Sequence, residues 1–103
     1  MQMHRMACGI IYSTEFARFL RQKRDAEANA HRGEVLALDY VRCAEGPHAG
    51  TAWWQLGWVS AFIAPAEHRF RIGETDVFIH RQTRRGLMNR LLHFTEGGVV
   101  VKS

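Results

Sequence analysis

Aromatic rings and arginines concentrate between Trp53 and Arg85. Planar rings can stack on unpaired bases, and guanidinium groups can pair with phosphates or stack as planes. Because successive side chains of a strand point to opposite faces of a sheet, alternation leaves Phe62, Phe78 and His80 as candidates for a solvated face. The alternative is that these rings fill the core of the domain.

Short strands are expected to carry these rings. Residues 68–72 and 75–80 flank Gly73-Glu74, and this spacing predicts a β-hairpin. Alternation along its second strand predicts that Val77 and Ile79 are buried and that the two ring-bearing residues, Phe78 and His80, lie on the opposite face. Further strands are expected at 7–12, 34–43 and 99–101, with a short helix as the alternative for 34–43.

Two helices are expected to brace the sheet. Ser13 is a suitable N-cap, and the apolar spacing that follows it predicts a helix to about His31 that Gly33 ends. A second helix is expected over 83–94, with Arg84 and Arg85 pointing outward. Its apolar stripe would be Leu87, Met88, Leu91 and Leu92.

The size and composition of the chain indicate one domain of the α+β class. The chain has 103 residues, of which 47% are hydrophobic, so it can bury one modest core. We expect a strand-helix-strand unit over residues 1–48 and an aromatic sheet with a helix over 49–103. The net charge of +4 favours acidic partners such as nucleic acid.

The cysteines and the hydropathy pattern predict the cellular compartment of the protein. The cysteines, Cys8 and Cys43, are far apart in sequence, so we interpret both as small buried hydrophobes in a reducing cytoplasm. No run approaches the roughly 20 apolar residues of a membrane span, and the apolar run near the N-terminus is too short for a signal peptide. We therefore expect a cytoplasmic protein that does not act at a membrane.

The C-terminal half, from Ala49 to Val101, resembles a divergent cold-shock domain. Four segments carry the resemblance in the family's order: Trp53-Trp54, Phe62-Ile63-Ala64-Pro65, Asp76-Val77-Phe78-Ile79-His80 and Glu96-Gly97-Gly98-Val99-Val100. The chain departs from the family at Ser60 and Arg81, where the family has rings. The hairpin over 67–75 is also longer, and an N-terminal strand would have to take the place of the family's fifth strand.

The resemblance implies a small, strongly curved antiparallel sheet or a partly open oligonucleotide-binding barrel of about five strands. It implies that Trp53, Phe62, Phe78 and His80 stack on single-stranded bases. Together with these positions we expect neighbouring arginines to contact phosphates, namely Arg69, Arg71, Arg81, Arg84 and Arg85. The expected function is non-enzymatic binding of single-stranded RNA or DNA.

Other classes of function remain open. A protein-binding regulator or inhibitor could use the same tryptophans and arginines, which are common at interface hot spots. A nuclease that uses His80 as base with Arg84 or Arg85 as a phosphate clamp ranks third. We expect no metal and no cofactor, because the histidines lack paired ligand spacing and no phosphate-cradling glycine loop occurs.

Overall fold

The computed structural model describes residues 2–42, 44–47, 49–96 and 98–102 and shows two four-stranded sheets around one core. The strands are β1 (Met3–Arg5), β2 (Ile11–Ser13), β3 (Glu34–Arg42), β4 (Ala52–Ser60), β5 (Arg69–Ile72), β6 (Thr75–Ile79), β7 (Leu91–Thr95) and β8 (Gly98–Lys102). The helices are α1 (Thr14–Glu27) and α2 (Arg81–Leu87). No helix in these ranges is long and apolar enough to cross a membrane.

Each sheet is built from two antiparallel pairs joined by a central parallel pair. The first sheet has the order β1-β2-β7-β8, with β2 parallel to β7. The second has the order β4-β3-β6-β5, with β3 parallel to β6. Parallel neighbours need a long crossover. Between β2 and β7 the chain forms α1 and the whole second sheet, and between β3 and β6 it forms β4 and β5. The sheets approach each other at β4 and β8.

The core joins both sheets to α1. Phe16 and Leu20 of the helix are fully buried, and α1 lies against strands of both sheets. Val77 and Ile79 are also fully buried, as the alternation predicted, so that prediction is confirmed. The other large members of the cluster are Ile10, Leu36, Leu38, Ile72, Leu87 and Leu92.

The start of α1 is also confirmed, although its end comes earlier than predicted. The Ser13 hydroxyl accepts a hydrogen bond from the Phe16 amide at 3.0 Å, which is an N-cap contact. The helix ends at Glu27 and a single 3₁₀ turn, Ala28–Ala30, follows before Gly33 adopts a φ of 77°. A left-handed conformation of this kind favours glycine, since it carries no Cβ.

The expected fold class is wrong. Eight strands in two sheets of four replace a single curved sheet or a barrel of about five strands, and α1 is the one long helix in the described residues. The central pair of each sheet is parallel, whereas the expected sheet was antiparallel throughout. Parallel pairing joins segments distant in sequence, so neither local alternation nor the short motifs shared with cold-shock domains reports it.

The predicted C-terminal helix over 83–94 is likewise wrong. The helix occupies only Arg81–Leu87, and Leu91–Thr95 forms β7 instead. Met88 leaves the helical conformation with a ψ of 130°, Asn89 follows with a φ of 62°, and the Asn89 amide donates to the Gly9 carbonyl at 2.9 Å. Leu92 is buried as expected, but it reaches the core from a strand that pairs with β2 and β8.

The predicted burial can be compared with the structure for one of the two cysteines. Cys8 is half-buried and packs against the core, so it is less enclosed than expected. Cys43, the other cysteine predicted to be buried, lies outside the described residues.

Candidate functional site

The second sheet has a core face and an outer face, and the strand register assigns each side chain to one of them. Leu36 lies opposite Trp58, Leu38 opposite Leu56, and Tyr40 opposite Trp54. Directly opposed residues share a face, so these three pairs form one row along the core face. The first two pairs and Trp54 contact the core, whereas Tyr40 lies beyond it at the end of the row.

A groove opens where this row passes beyond the core. It encloses about 480 Å³, within the roughly 300–1,000 Å³ range of ligand sites. We call it the α2 groove. Its lining residues are Tyr40, Trp54, Gln82, Thr83, Gly86 and Arg90. The groove therefore joins two aromatic rings on the sheet to polar groups on and after α2.

The two rings present a broad apolar surface to this groove. Their centroids are 4.8 Å apart with an angle of 53° between the planes. Tyr40 is 45% exposed although it lies on the core face, because the sheet extends past the buried cluster at this end. Trp54 is more enclosed and packs against the core on its other side. Such a surface can receive the flat face of a planar ligand.

Arg90 gives the groove a positive charge. Its Nη1 donates to the Gly86 carbonyl at 3.2 Å, which holds the side chain against the end of α2. Its Nε is buried and has no hydrogen-bond partner among the described residues. A buried donor without a partner costs about 1–3 kcal/mol. Because this atom has no accessible surface, an acceptor in the groove would meet the charge of Arg90 at the other guanidinium nitrogens.

The three arginines of α2 differ in what they contact. The guanidinium of Arg84 lies over the Phe70 ring at 5.6 Å, a cation–π contact. Arg81 and Arg85 are exposed and make no side-chain hydrogen bond or ion pair within the part of the chain that the structure describes. Neither is among the residues that line the α2 groove.

Trp53 lies on the outer face of the sheet, back to back with its neighbour Trp54. It is 44% exposed, and its indole Nε1 donates to Gln55 Oε1 at 3.1 Å. Its position opposite Val41 places it at the same end of the sheet as the α2 groove but on the other side. The two adjacent tryptophans therefore serve different surfaces.

Phe62 lies at the opposite end of β4. Seven steps of extended strand separate Trp53 from Ser60, roughly 23 Å. Phe62 belongs to a 3₁₀ turn, Ala61–Ile63, which we call the Phe62 turn, and 97% of its surface is exposed. The distance prevents Phe62 and Trp53 from forming one compact stacking surface.

Two expected phosphate contacts, Arg69 and Arg71, lie beside Phe78 on the outer face. Arg69 lies opposite Phe78, and its Nε and Nη2 donate to the carbonyls of Ala64 and Ala61, both at 2.6 Å. Its guanidinium is therefore used to hold the Phe62 turn. Arg71 forms an exposed ion pair with Asp76 at 3.4 Å. Phe78 is half-buried on the face opposite Val77 and Ile79, as predicted.

His80 caps α2. Its side chain is exposed, and its Nδ1 accepts a hydrogen bond from the Gln82 amide at 3.3 Å. The acceptor role requires a lone pair on Nδ1, so the neutral imidazole is the form that caps the helix. The residue thus has a structural task at the start of α2.

The structure does not bring the expected residues into one site. Trp53 and His80 lie near one end of the second sheet, Phe78 near its middle and Phe62 at the far end. Sequence reasoning missed Tyr40 and Arg90 altogether. Alternation along β3 would have grouped Tyr40 with Leu36 and Leu38, but only the pairing of β3 with β4 sets its ring beside Trp54.

No group of three or more histidine, cysteine, aspartate or glutamate side chains in the described ranges could hold a metal ion. The barrel that the cold-shock resemblance implied is absent from the described residues, so the candidate site rests on the α2 groove rather than on that family's strip. No protein-family model, curated protein or solved structure matches the chain.

Proposed function

We propose that this protein is a non-enzymatic module that binds single-stranded RNA or DNA through the α2 groove. The observation that supports this best is the joining of two partly open rings, Tyr40 and Trp54, to the guanidinium of Arg90 in one concavity. Ring faces stack on bases of any sequence, and arginines contact phosphates. We place this activity in the cytoplasm, where a free cysteine such as Cys8 persists as a thiol.

In this proposal an unpaired base enters the groove and the strand continues over α2. Arg81 and Arg85 meet phosphates there, since both are exposed and unpaired in the described part of the chain. Arg84 contributes less because it already stacks on Phe70. The ring-bearing residues of the outer face, Trp53 and Phe78, are not needed for this mode of binding.

The test is a titration of short, fluorescently labelled single strands of RNA and DNA, followed by anisotropy at about 50 mM and 200 mM salt. We expect binding that weakens steeply with salt and that duplex competitors displace poorly. Replacement of Tyr40 by alanine should weaken binding at both salt concentrations. Absence of binding at the lower concentration, by protein shown to be folded, would refute the proposal.

A second candidate function is protein binding, and the Phe62 turn is the observation that favours it. A fully exposed phenylalanine next to Ile63, which is 67% exposed, is costly for a monomer in water. The turn is also well held, since the Ala61 amide donates to the Gly33 carbonyl at 2.8 Å and Arg69 donates to the carbonyls of Ala61 and of Ala64, the residue after the turn. A held apolar tip loses little entropy when it docks.

Photo-crosslinking tests this second candidate. A crosslinking amino acid at position 62 should give a discrete protein adduct in cells, and the adduct should disappear when Ile63 is replaced by serine. The same group at Glu67, which is exposed in the next turn, is the control. Equal adducts from both positions would show random collision rather than docking.

A further inference from the structure

Gly86 is a glycine whose backbone conformation does not require one. It lies inside α2, and it is not among the glycines with positive φ. Glycine in a helix costs about 0.5–1 kcal/mol relative to alanine, because its unfolded chain is freer. Packing does not require a glycine either, since a Cβ built at this position meets no atom within 4 Å.

Gly86 is one of the residues that line the α2 groove. Gln82 and Thr83 line it from the preceding turn of α2. They face Tyr40 and Trp54 on the sheet. Because Gly86 has no side chain, the wall that faces these rings is bare, and a flat group can lie between helix and sheet.

We propose that Gly86 is the specificity-determining position of the α2 groove, and that it admits one unpaired nucleobase between the helix and the Tyr40–Trp54 surface. This inference rests on the proposed single-strand binding. The polar groups around the base are the Gln82 amide, the Thr83 hydroxyl and the Arg90 guanidinium, which can hydrogen-bond to base edges. The size of a side chain at position 86 then decides which bases enter.

A graded series of side chains at position 86 follows from this geometry. Replacement of Gly86 by alanine narrows the groove by one methyl group. It should weaken the binding of purine-containing strands more than the binding of pyrimidine-containing strands. Replacement by leucine should exclude both classes of base. Both residues are better helix formers than glycine, so neither change should lower the thermal midpoint.

The matched control is Gly57. It also lacks a positive φ, and a Cβ there also meets nothing within 4 Å. It lies in β4 opposite Ala37, on the outer face of the same sheet. Replacement of Gly57 by leucine therefore adds the same side chain to the other side of the sheet and should leave binding unchanged.

The experiment compares a single strand that carries bases with an abasic strand of equal length, for the wild type and for the G86L and G57L variants. The wild type should bind the base-carrying strand about 5- to 150-fold more tightly, as expected for one stacked base. The G86L variant should bind it only as tightly as the abasic strand, with unchanged affinity for the abasic strand itself.

Each other outcome counts against a specific step. If G86L retains the wild-type preference for bases, the role of Gly86 is wrong while single-strand binding stands. Equal binding of base-carrying and abasic strands by the wild type shows that no base enters the groove. If the folded wild type binds neither strand, the proposed function falls and the inference falls with it.

Discussion

The two ends of the second sheet present opposite kinds of surface. At the end of the sheet where β3 ends and β4 begins, Tyr40 and Trp54 form the floor of a concave, cationic groove. At the other end the chain turns through the Phe62 turn, which is convex and apolar. A concave site with arginines suits a small, planar, charged group, whereas a convex apolar tip suits a pocket on another protein.

The arginines at the two ends also do different work. Arg69 spends its hydrogen bonds on the backbone carbonyls of Ala61 and Ala64 and so stabilises the Phe62 turn. Arg81 and Arg85 make no such bonds in the described residues. Exposure and charge alone do not mark a binding arginine. An arginine can bind a ligand only through N–H donors that are not already bonded to the protein.

The largest expected effect is on the core that supports both ends. Ile79 is fully buried on β6, so its replacement by alanine should lower the free energy of unfolding by about 2–5 kcal/mol through lost burial and a cavity. Urea denaturation followed by tryptophan fluorescence measures this. A loss of less than about 1 kcal/mol in the free energy of unfolding would contradict the burial of Ile79 in the core.

The next effect separates structural from binding arginines. Replacement of Arg69 by methionine should cost about 1.5–3 kcal/mol of stability, because two carbonyls lose a charged donor. The control is Arg71, which lies on the same strand and face in an exposed ion pair. Such a pair contributes at most about 1 kcal/mol. Equal melting temperatures for the two variants would show that Arg69 does not hold the turn.

A third prediction concerns the two faces at the groove end. Tyr40 and Trp53 are almost equally exposed, at 45% and 44%, but lie on opposite faces. Replacement of Tyr40 by alanine should reduce single-strand affinity by roughly 1–3 kcal/mol at any salt concentration. The same replacement at Trp53 should have no effect. If Trp53 is the sensitive position, the binding surface is the outer face and not the groove.

A fourth prediction concerns charge at the groove end. Replacement of Arg85 by methionine should lower the slope of log affinity against log salt by about one phosphate's contribution, roughly 0.7 for a single strand. Stability should not change, since this side chain is exposed. Replacement of Arg18, an exposed arginine of α1, is the control. An equal change of slope for both variants would indicate diffuse attraction to the whole protein.

The smallest effect is expected at the Phe62 turn. Because Phe62 is 97% exposed, replacement by serine should change the free energy of unfolding by no more than about 0.5 kcal/mol. Single-strand affinity should also be unchanged. A clear loss of affinity in the F62S variant would show that both ends of the sheet belong to one binding surface.

Much of the local structure could be predicted from short stretches of sequence. The hairpin of β5 and β6 around Gly73-Glu74 is confirmed, and so are the N-cap at Ser13 and the burial of Val77 and Ile79. Each of these depends on contacts within a few residues or on the two-residue period of a strand. The candidate site was harder to predict from the sequence, because its residues come from β3, β4, α2 and the turn after α2.

The sequence by itself determined the N-cap at Ser13, the hairpin of β5 and β6 and the phase of β6, because alternation, capping and turn residues act over short distances along the chain. Only the tertiary structure decided that residues 91–95 form a strand and that Tyr40 and Trp54 share a groove with Arg90. The apolar spacing of 87–92 is compatible with helix or strand, and the parallel pairing of β7 with β2 settles it. Such pairing joins segments about 80 residues apart, at a distance where local propensity carries no information.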